Sequence, residues 1–206
     1  MVFNELKEKR VKIRIMFRQS AYQTTNLSSY NKDRRYHLLY YQFIKHAFGL
    51  KFSNESEKTI YIRTYFDKLP EKEKDNELFK NHIYGLQSLK DFEKANLKIR
   101  RSDIAEIDSK NHIESQAIDL ILGAMSFRLN DQHKIIPEGS GKRGNRTIAK
   151  EKLYKYINTK ISEIYPNFNV GISTGKRGDV QNIWKDSYRH WKFIPNNYQI
   201  DDTKYK

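Results

Sequence analysis

The sequence contains no cysteine among its 206 residues. Disulfide bonds and thiolate metal sites are therefore excluded, and cysteine usage gives no indication of the redox compartment. No stretch approaches the roughly 20 consecutive apolar residues that a helix needs to cross a bilayer. The first residues also lack the basic and long apolar segments of a signal peptide. These absences predict a cytoplasmic protein without a membrane partner.

Negative charge is scarce relative to positive charge. The chain has 39 Lys+Arg against 25 Asp+Glu, which gives a net charge of +14. Residues 1–51 hold 11 basic and 3 acidic side chains, and residues 134–164 hold 8 and 3. Such an excess indicates a polyanionic partner, which we predict to be DNA or RNA. A surface that is basic only for solubility is the alternative.

Predicted strands and helices alternate along the first part of the chain, which favours an α/β fold with at least part of the sheet parallel. The predicted strands are "VKIRIMF" (11–17), "KTIYIRTYFD" (58–67), "LKIRRSDIAEID" (97–108) and a short strand in the tail before residue 175. The predicted helices are 34–50, 70–92, one capped by Asn111 and running to about Leu129, and 148–165. We expect a core over residues 1–130 and a basic C-terminal extension over 131–206, with a helix and an aromatic end.

Three aspartates are candidate metal ligands because of their positions in the predicted elements. Asp67 and Asp108 each end a predicted strand, and Asp119 lies inside the apolar run "SQAIDLILGAM" (115–125). A helix with this composition is expected to be buried, and an unpaired buried charge is costly. Ligand-binding sites in α/β folds usually lie at the carboxyl ends of the strands. Three carboxylates held close together cannot all ionise unless a cation neutralises their charge. Oxygen ligands select Mg²⁺ or Mn²⁺, which in pairs can promote phosphodiester cleavage.

Each aspartate also has a simpler interpretation. Asp67 and Asp108 could be ordinary turn or cap residues. Asp119 could form a salt bridge with a lysine or arginine from another element. His112 has no partner at metal-ligand spacing, which indicates a surface residue.

Two loops, "GSGKRG" (139–144) and "STGKRG" (173–178), combine glycine with basic residues. Neither has the glycine spacing of a Walker loop, so both are interpreted as flexible phosphate-contacting loops or polar turns. The candidate phosphate-binding residues in or near them are Lys142, Arg143, Arg146, Lys150, Lys176 and Arg177. The aromatic end "NIWKDSYRHWKF" (182–193) could stack on bases, but packing on the core is the favoured interpretation of Trp184, Tyr188, His190 and Trp191.

The segment "IDSKNHIESQAIDLILGAM" resembles the C-terminal signature of a bacterial family of domains of unknown function with a ribonuclease-H-like fold. The matching residues are Asp108, Ser109, Gln116, Asp119, Gly123 and Ala124, and "IYIRTYFDKLP" resembles the preceding strand with its carboxylate, Asp67. The resemblance covers residues 1–130. It implies a mixed sheet flanked by helices and a metal-dependent nuclease, in anti-phage defence or a mobile element.

Members of that family begin with a strand that reads Asp-Glu-Ser-Gly, and no such tetrapeptide occurs here. The resemblance therefore implies that the first hairpin is lacking. Another polypeptide would supply the strand, or the gene would be truncated, or the chain would be a nucleic-acid-binding or protein-interaction subunit without activity. In the latter case an open sheet edge would pair with another chain.

Overall fold

A computed structural model describes residues 2–26, 28–29, 31, 34–54, 58–70 and 72–204. Within these ranges, no helix combines the length and apolar composition that crossing a bilayer requires. The described α-helices are α1 (Val2–Lys7), α2 (Arg35–His46), α3 (Glu73–Gly85), α4 (Lys90–Lys94), α5 (Ile113–Leu129), α6 (Asn145–Ile164) and α7 (Asn182–Lys185). The described strands are β1 (Ile13–Arg18), β2 (Tyr22–Thr24), β3 (Ile60–Phe66), β4 (Leu97–Glu106), β5 (Tyr188–Phe193) and β6 (Tyr198–Ile200). The chain is thus mixed α/β, which confirms the predicted class.

The described strands form three sheets of two strands each. Strand β1 pairs with β5, β2 runs antiparallel to β6, and β3 runs parallel to β4. The β3–β4 pair confirms that part of the sheet structure is parallel. Its ladder runs from Ile60 opposite Leu97 to Phe66 opposite Glu106, with an irregularity between Ile62 and Thr64.

The chain folds into two compact units, each assembled from segments that are distant in sequence. The first unit contains residues 1–15, 110–175 and 186–192. The second unit contains residues 16–109, 176–185 and 193–206. Both units draw residues from either side of position 130, the division predicted from sequence.

The core of the second unit forms between the β3–β4 sheet and the helices that connect its strands. A parallel pair needs a long crossover connection, and α3 and α4 lie within the one between β3 and β4. Phe79 and Ile83 of α3 are buried in one apolar cluster with Phe66, Leu97 and Ile99 of the strands. Burial of each such side chain contributes about 1.5–3 kcal/mol, so this cluster holds the two strands in place.

The single helix predicted over residues 70–92 is wrong, because two α-helices occupy this segment. Helix α3 ends at Gly85, a 3₁₀ turn covers Leu86–Ser88, and α4 begins at Lys90. Leu89 between them has an extended backbone, with ψ of 136°. This break allows Leu86 and Phe92 to be buried in the same cluster, which the charge-rich sequence pattern did not reveal.

The core of the first unit joins α5 and α6 with α1 and the β1–β5 pair. Ile121 and Met125 of α5 and Ile157 and Ile161 of α6 are buried, and each pair is four residues apart. A spacing of four places both side chains on one face of a helix. Helix α6 therefore confirms the amphipathic helix predicted from about residue 148.

The tail differs from the prediction in the position of its strand. The described residues before position 175 contain no strand after α6, and strand β5 instead covers "YRHWKF". Tyr188 and His190 of this strand are 0% and 1% exposed. Aromatic residues favour strands when they pack on a core, and the packing interpretation is confirmed for Tyr188 and His190, whereas Trp184 and Trp191 are half-buried.

Candidate functional site

Two of the predicted aspartates lie at the same edge of the β3–β4 sheet. Asp67 directly follows β3, and Asp108 lies two residues after β4 ends at Glu106. Because the strands are parallel neighbours, their carboxyl ends meet at one edge. The backbone pairing continues past the strands, since the amide of Ile107 donates to the carbonyl of Phe66 at 2.8 Å. The structure therefore brings the two strand-end segments together.

The carboxylate of Asp67 links these two segments. Its Oδ1 accepts a hydrogen bond from the backbone amide of Lys68 at 2.9 Å. This bond, together with hydrogen bonds from the side chain and backbone of Ser109, lowers the pKa of Asp67 below its usual value. Ser109 is the residue after Asp108, and both aspartates are exposed. Asp67 is thus a solvent-accessible, ionised carboxylate held beside the Asp108 segment.

Asp119 lies in the first unit, whereas Asp67 and Asp108 lie in the second. The side chain of Asp119 is exposed, and so are its apolar neighbours Ile118 and Leu120. The expectation of a buried carboxylate is therefore wrong. The residues of α5 that are buried lie in its second half, at Ile121, Ala124, Met125 and Phe127. Apolar side chains between Ile118 and Phe127 occupy more than half of the helix circumference, so the sequence pattern could not identify which face packs.

The start of α5 also differs from the prediction. Asn111 ends a 3₁₀ turn, and His112, which precedes the helix, makes no side-chain capping bond. Gln116 instead reaches back, and its side-chain amide donates to the carbonyl of Lys110 at 2.7 Å. Gln116 of the Gln-x-x-Asp pattern therefore stabilises the entry to α5.

The donor chemistry at the strand ends fits a divalent cation. Mg²⁺ is usually held through one or two carboxylates together with water and substrate phosphates. Asp67 and Asp108 supply two exposed carboxylates of this type. In the part of the chain that the structure describes, no group of three Asp, Glu, His or Cys side chains lies close enough to hold a metal ion. The geometry thus groups two of the three predicted ligands.

Glu106, the last residue of β4, was not predicted as part of this region. Its carboxylate accepts a hydrogen bond from the amide of Leu69 at 3.0 Å and pairs with Lys80 at 2.9 Å. The hydrogen bond from Leu69 is the larger cause of the lowered pKa of Glu106, and the contact with Lys80 lowers this pKa further. The side chain therefore anchors the loop after Asp67. The sequence contained a signal for this position, because strand alternation places Glu106 on the same face of the sheet as its ladder partner, the buried Phe66.

The predicted phosphate-binding cations differ in how they are engaged. Arg143 donates to Glu151 at 2.5 Å and to the carbonyl of His133 at 2.9 Å, so its guanidinium has a structural role. Lys142, Arg146 and Lys150 are exposed and have no ion-pair partner among the described residues. We call these three side chains the α6 cation stripe, because Arg146 and Lys150 lie one turn apart on α6 and Lys142 lies just before it. Lys176 and Arg177 are exposed in the second unit.

A second basic surface, which the sequence interpretation missed, lies on the sheet itself. The side chains of β3 that alternate with the buried ones are exposed, and two of them are tyrosines. We call this surface the open sheet face, formed by Tyr61, Arg63, Tyr65, Lys98 and Arg100. The pattern "IYIRTYF" contained the signal, because alternation in a strand separates two faces.

The sequence matches no family model, and it has no significant match among curated proteins or solved structures. The function is therefore argued from the residues and their geometry.

Proposed function

We propose that this chain binds nucleic acid through contacts between its unpaired cations and the phosphate backbone. The observation that carries the proposal is the α6 cation stripe. Its three side chains are exposed and free of carboxylate partners among the described residues, whereas Lys155 on the same helix pairs with Glu151 at 3.1 Å. Cations without a carboxylate partner gain most from a phosphate, because no existing ion pair is broken.

Binding of this kind releases counterions from the nucleic acid. The logarithm of the binding constant then falls linearly with the logarithm of salt concentration, with a slope of about −0.9 for each phosphate neutralised on a duplex. Phosphate contacts of this kind position the chain without reading sequence. The net charge of +14 supports the same conclusion.

The test is a salt titration of duplex binding, measured by fluorescence anisotropy. The double variant Arg146→Ala/Lys150→Ala should bind more weakly and should reduce the magnitude of the slope by about 1.8. Lys155→Ala is the matched control, because Lys155 is exposed on the same helix but is already paired. Equal slopes for the wild type and the double variant would remove the stripe from the interface. Absence of binding by the wild type at low salt would refute the proposed function.

A second candidate function is metal-dependent cleavage of the bound nucleic acid, by a domain of ribonuclease-H-like type. It is favoured by one specific observation, the grouping of Asp67 and Asp108 at the carboxyl edge of a parallel strand pair. The Lys68 amide and Ser109 keep the Asp67 carboxylate ionised and oriented. Asp67 and Asp108 would hold Mg²⁺ or Mn²⁺, which when bound stabilises the charge of the reacting phosphate. Asp119 stays a predicted third ligand.

The nuclease proposal is tested by incubating labelled DNA and RNA with the chain and Mg²⁺ or Mn²⁺, alone and with the product of a neighbouring gene. Asp67→Ala and Asp108→Ala should each abolish cleavage but leave binding intact, because cations rather than carboxylates hold the phosphates. Asp91→Ala is a control, since Asp91 is exposed and pairs with Lys51. EDTA-resistant cleavage would refute the mechanism, and cleavage by Asp119→Ala would remove that residue from the site.

Two further parts of the prediction rest on the family resemblance. These are the role in anti-phage defence or a mobile element and the strand donated by another polypeptide. Within the described residues, β3 pairs only with β4, so each strand has one side without a neighbour. Such an edge is able to accept a strand, which supports the second of these proposals.

A further inference from the structure

The open sheet face is unusual for a parallel sheet. Parallel strands are almost always covered on both faces. Here one face of the β3–β4 pair packs on the apolar cluster that contains Phe79 and Ile83, while Tyr61 and Tyr65 on the other face are 52% and 60% exposed. The described residues therefore leave two aromatic rings largely in water on one face of the sheet.

Three cations lie on the open sheet face with these two rings. Arg63 lies between the tyrosines on β3, and its side chain is 66% exposed. Lys98 lies opposite Tyr61 on β4, and the guanidinium of Arg100 lies 4.1 Å from the centre of the Tyr61 ring. Arg63 forms a loose ion pair with Asp103 at 3.8 Å, and its side chain still stays mostly in water.

From this combination we infer that the open sheet face binds single-stranded nucleic acid by stacking bases on Tyr61 and Tyr65. The inference deepens the proposed nucleic-acid binding and rests on it. The two tyrosines are four residues apart on one strand, which corresponds to about 13 Å. Arg63 between them, with Lys98 and Arg100 beside them, is placed to contact the phosphates that connect the stacked bases.

The chemistry of the face favours a single strand over a duplex. In a duplex the bases are stacked on each other and their faces cannot reach a protein ring, whereas unpaired bases can be splayed out onto aromatic side chains. Stacking of one base on an aromatic ring changes affinity by between about fivefold and a hundredfold. The face should therefore add a preference for single strands to the phosphate contacts made elsewhere.

The same chemistry favours nucleic acid over a protein partner. The side chains that form the open sheet face are two tyrosines and three cations, and none of them is a large aliphatic residue. The core of a protein interface is instead depleted of charged residues. Cations between exposed aromatic rings instead match a nucleic-acid strand, whose phosphates are negative and whose bases can stack on the rings.

The experiment compares a 12-nucleotide single strand with the duplex of the same sequence in anisotropy titrations. The double variant Tyr61→Leu/Tyr65→Leu should lose at least tenfold in affinity for the single strand and keep its affinity for the duplex. The variant Tyr61→Phe/Tyr65→Phe retains both rings and should bind as the wild type. Tyr84→Leu is the matched control, because Tyr84 is an exposed tyrosine on α3 of the same unit. A 2-aminopurine base in the strand should be quenched by the wild type and not by the leucine variant.

The outcomes separate the inference from the proposed function. If the wild type binds both nucleic acids and the leucine variant keeps the same affinity for each, base stacking on this face is refuted and phosphate binding stands. If the wild type binds neither at low salt, the proposed function fails and the inference fails with it. Tyrosine-dependent binding of polyglutamate, without a preference for single strands, would assign the face to an acidic polypeptide and overturn the inference.

Discussion

Replacing Asp186 with alanine should destabilise the first unit strongly, because this carboxylate balances two buried cations. It pairs with Arg189 at 2.8 Å, and the two side chains are only 8% and 10% exposed. Arg14 is also buried, and its guanidinium donates to the backbone carbonyls of Asp186 and Ser187 at 2.7 and 3.3 Å. Burial, and then repulsion by Arg189, lowers the pKa of Arg14 to about 10, and Asp186 partly opposes this shift.

The size of the effect follows from this geometry. Removing one partner of a buried ion pair costs about 3–5 kcal/mol, since the remaining charge is left without compensation. Backbone acceptors soften the loss, because Arg189 also donates to the carbonyls of Thr174 at 2.8 Å and Gly175 at 3.2 Å. We therefore expect about 3 kcal/mol for Asp186→Ala, a large part of the roughly 5–15 kcal/mol that stabilises a typical protein.

Urea denaturation followed by circular dichroism measures this change. Asp186→Asn keeps the shape of the side chain and should lose nearly as much, which would attribute the loss to charge rather than to packing. Asp179→Ala is the matched control, since Asp179 pairs with Lys185 at 3.3 Å and both side chains are nearly half exposed. Exposed pairs contribute about 0–1 kcal/mol. If Asp186→Ala lost no more than Asp179→Ala, the argument from buried charge would be refuted.

Two other stability predictions follow from His190 and Gly49. Burial lowers the pKa of His190 from 6.5 to about 4, so the unfolded chain takes up a proton that the folded chain does not. The free energy of unfolding should therefore fall by about 2 kcal/mol from pH 7 to pH 5, and denaturation of His190→Gln should show a flatter profile. Gly49 has φ of +65°, and an added Cβ would lie 2.7 Å from the backbone nitrogen of Trp184. Gly49→Ala should lower the free energy of unfolding by about 2–4 kcal/mol. Gly139→Ala should lower it by about 1 kcal/mol, because Gly139 also has a positive φ but has open space around it. Thermal melts that show equal losses would contradict the steric argument.

The nucleic-acid and nuclease tests address different parts of the molecule. The α6 cation stripe lies in the first unit, whereas the open sheet face and the pair Asp67 and Asp108 lie in the second. Because these sets share no residue, each variant tests one contribution: the salt dependence of duplex binding, the preference for single strands, or EDTA-sensitive cleavage at saturating nucleic acid. This independence allows phosphate contact, base stacking and metal-dependent cleavage to be assigned separately.

Local sequence patterns predicted the first strand and the β3–β4 pair, at whose edge Asp67 and Asp108 lie, but not the strands β2, β5 and β6. The pattern "IYIRTYF" predicted β3, the later extended segment predicted β4, and the alternation of strands with helices predicted that part of the sheet is parallel. These features predicted that Asp67 and Asp108 could lie at one edge of a sheet, and the structure shows that their strands are paired. The strand patterns depend on neighbours within a few residues, which is why sequence alone was enough for them.

The tertiary structure decided which surfaces are buried. Apolar side chains between Ile118 and Phe127 occupy more than half of the circumference of helix α5. Only packing against α6 therefore shows that Ile121 and Met125 are core residues while Ile118 and Leu120 are exposed beside Asp119. Arg14 lies beside the pair of Asp186 and Arg189, although it is more than 170 positions away from them in sequence. No local pattern contains such a contact. Sequence thus determined local conformation and total charge. Contacts between distant segments determined which charges are buried, which cations are free and which face of the sheet is open, because burial is a property of the folded chain as a whole.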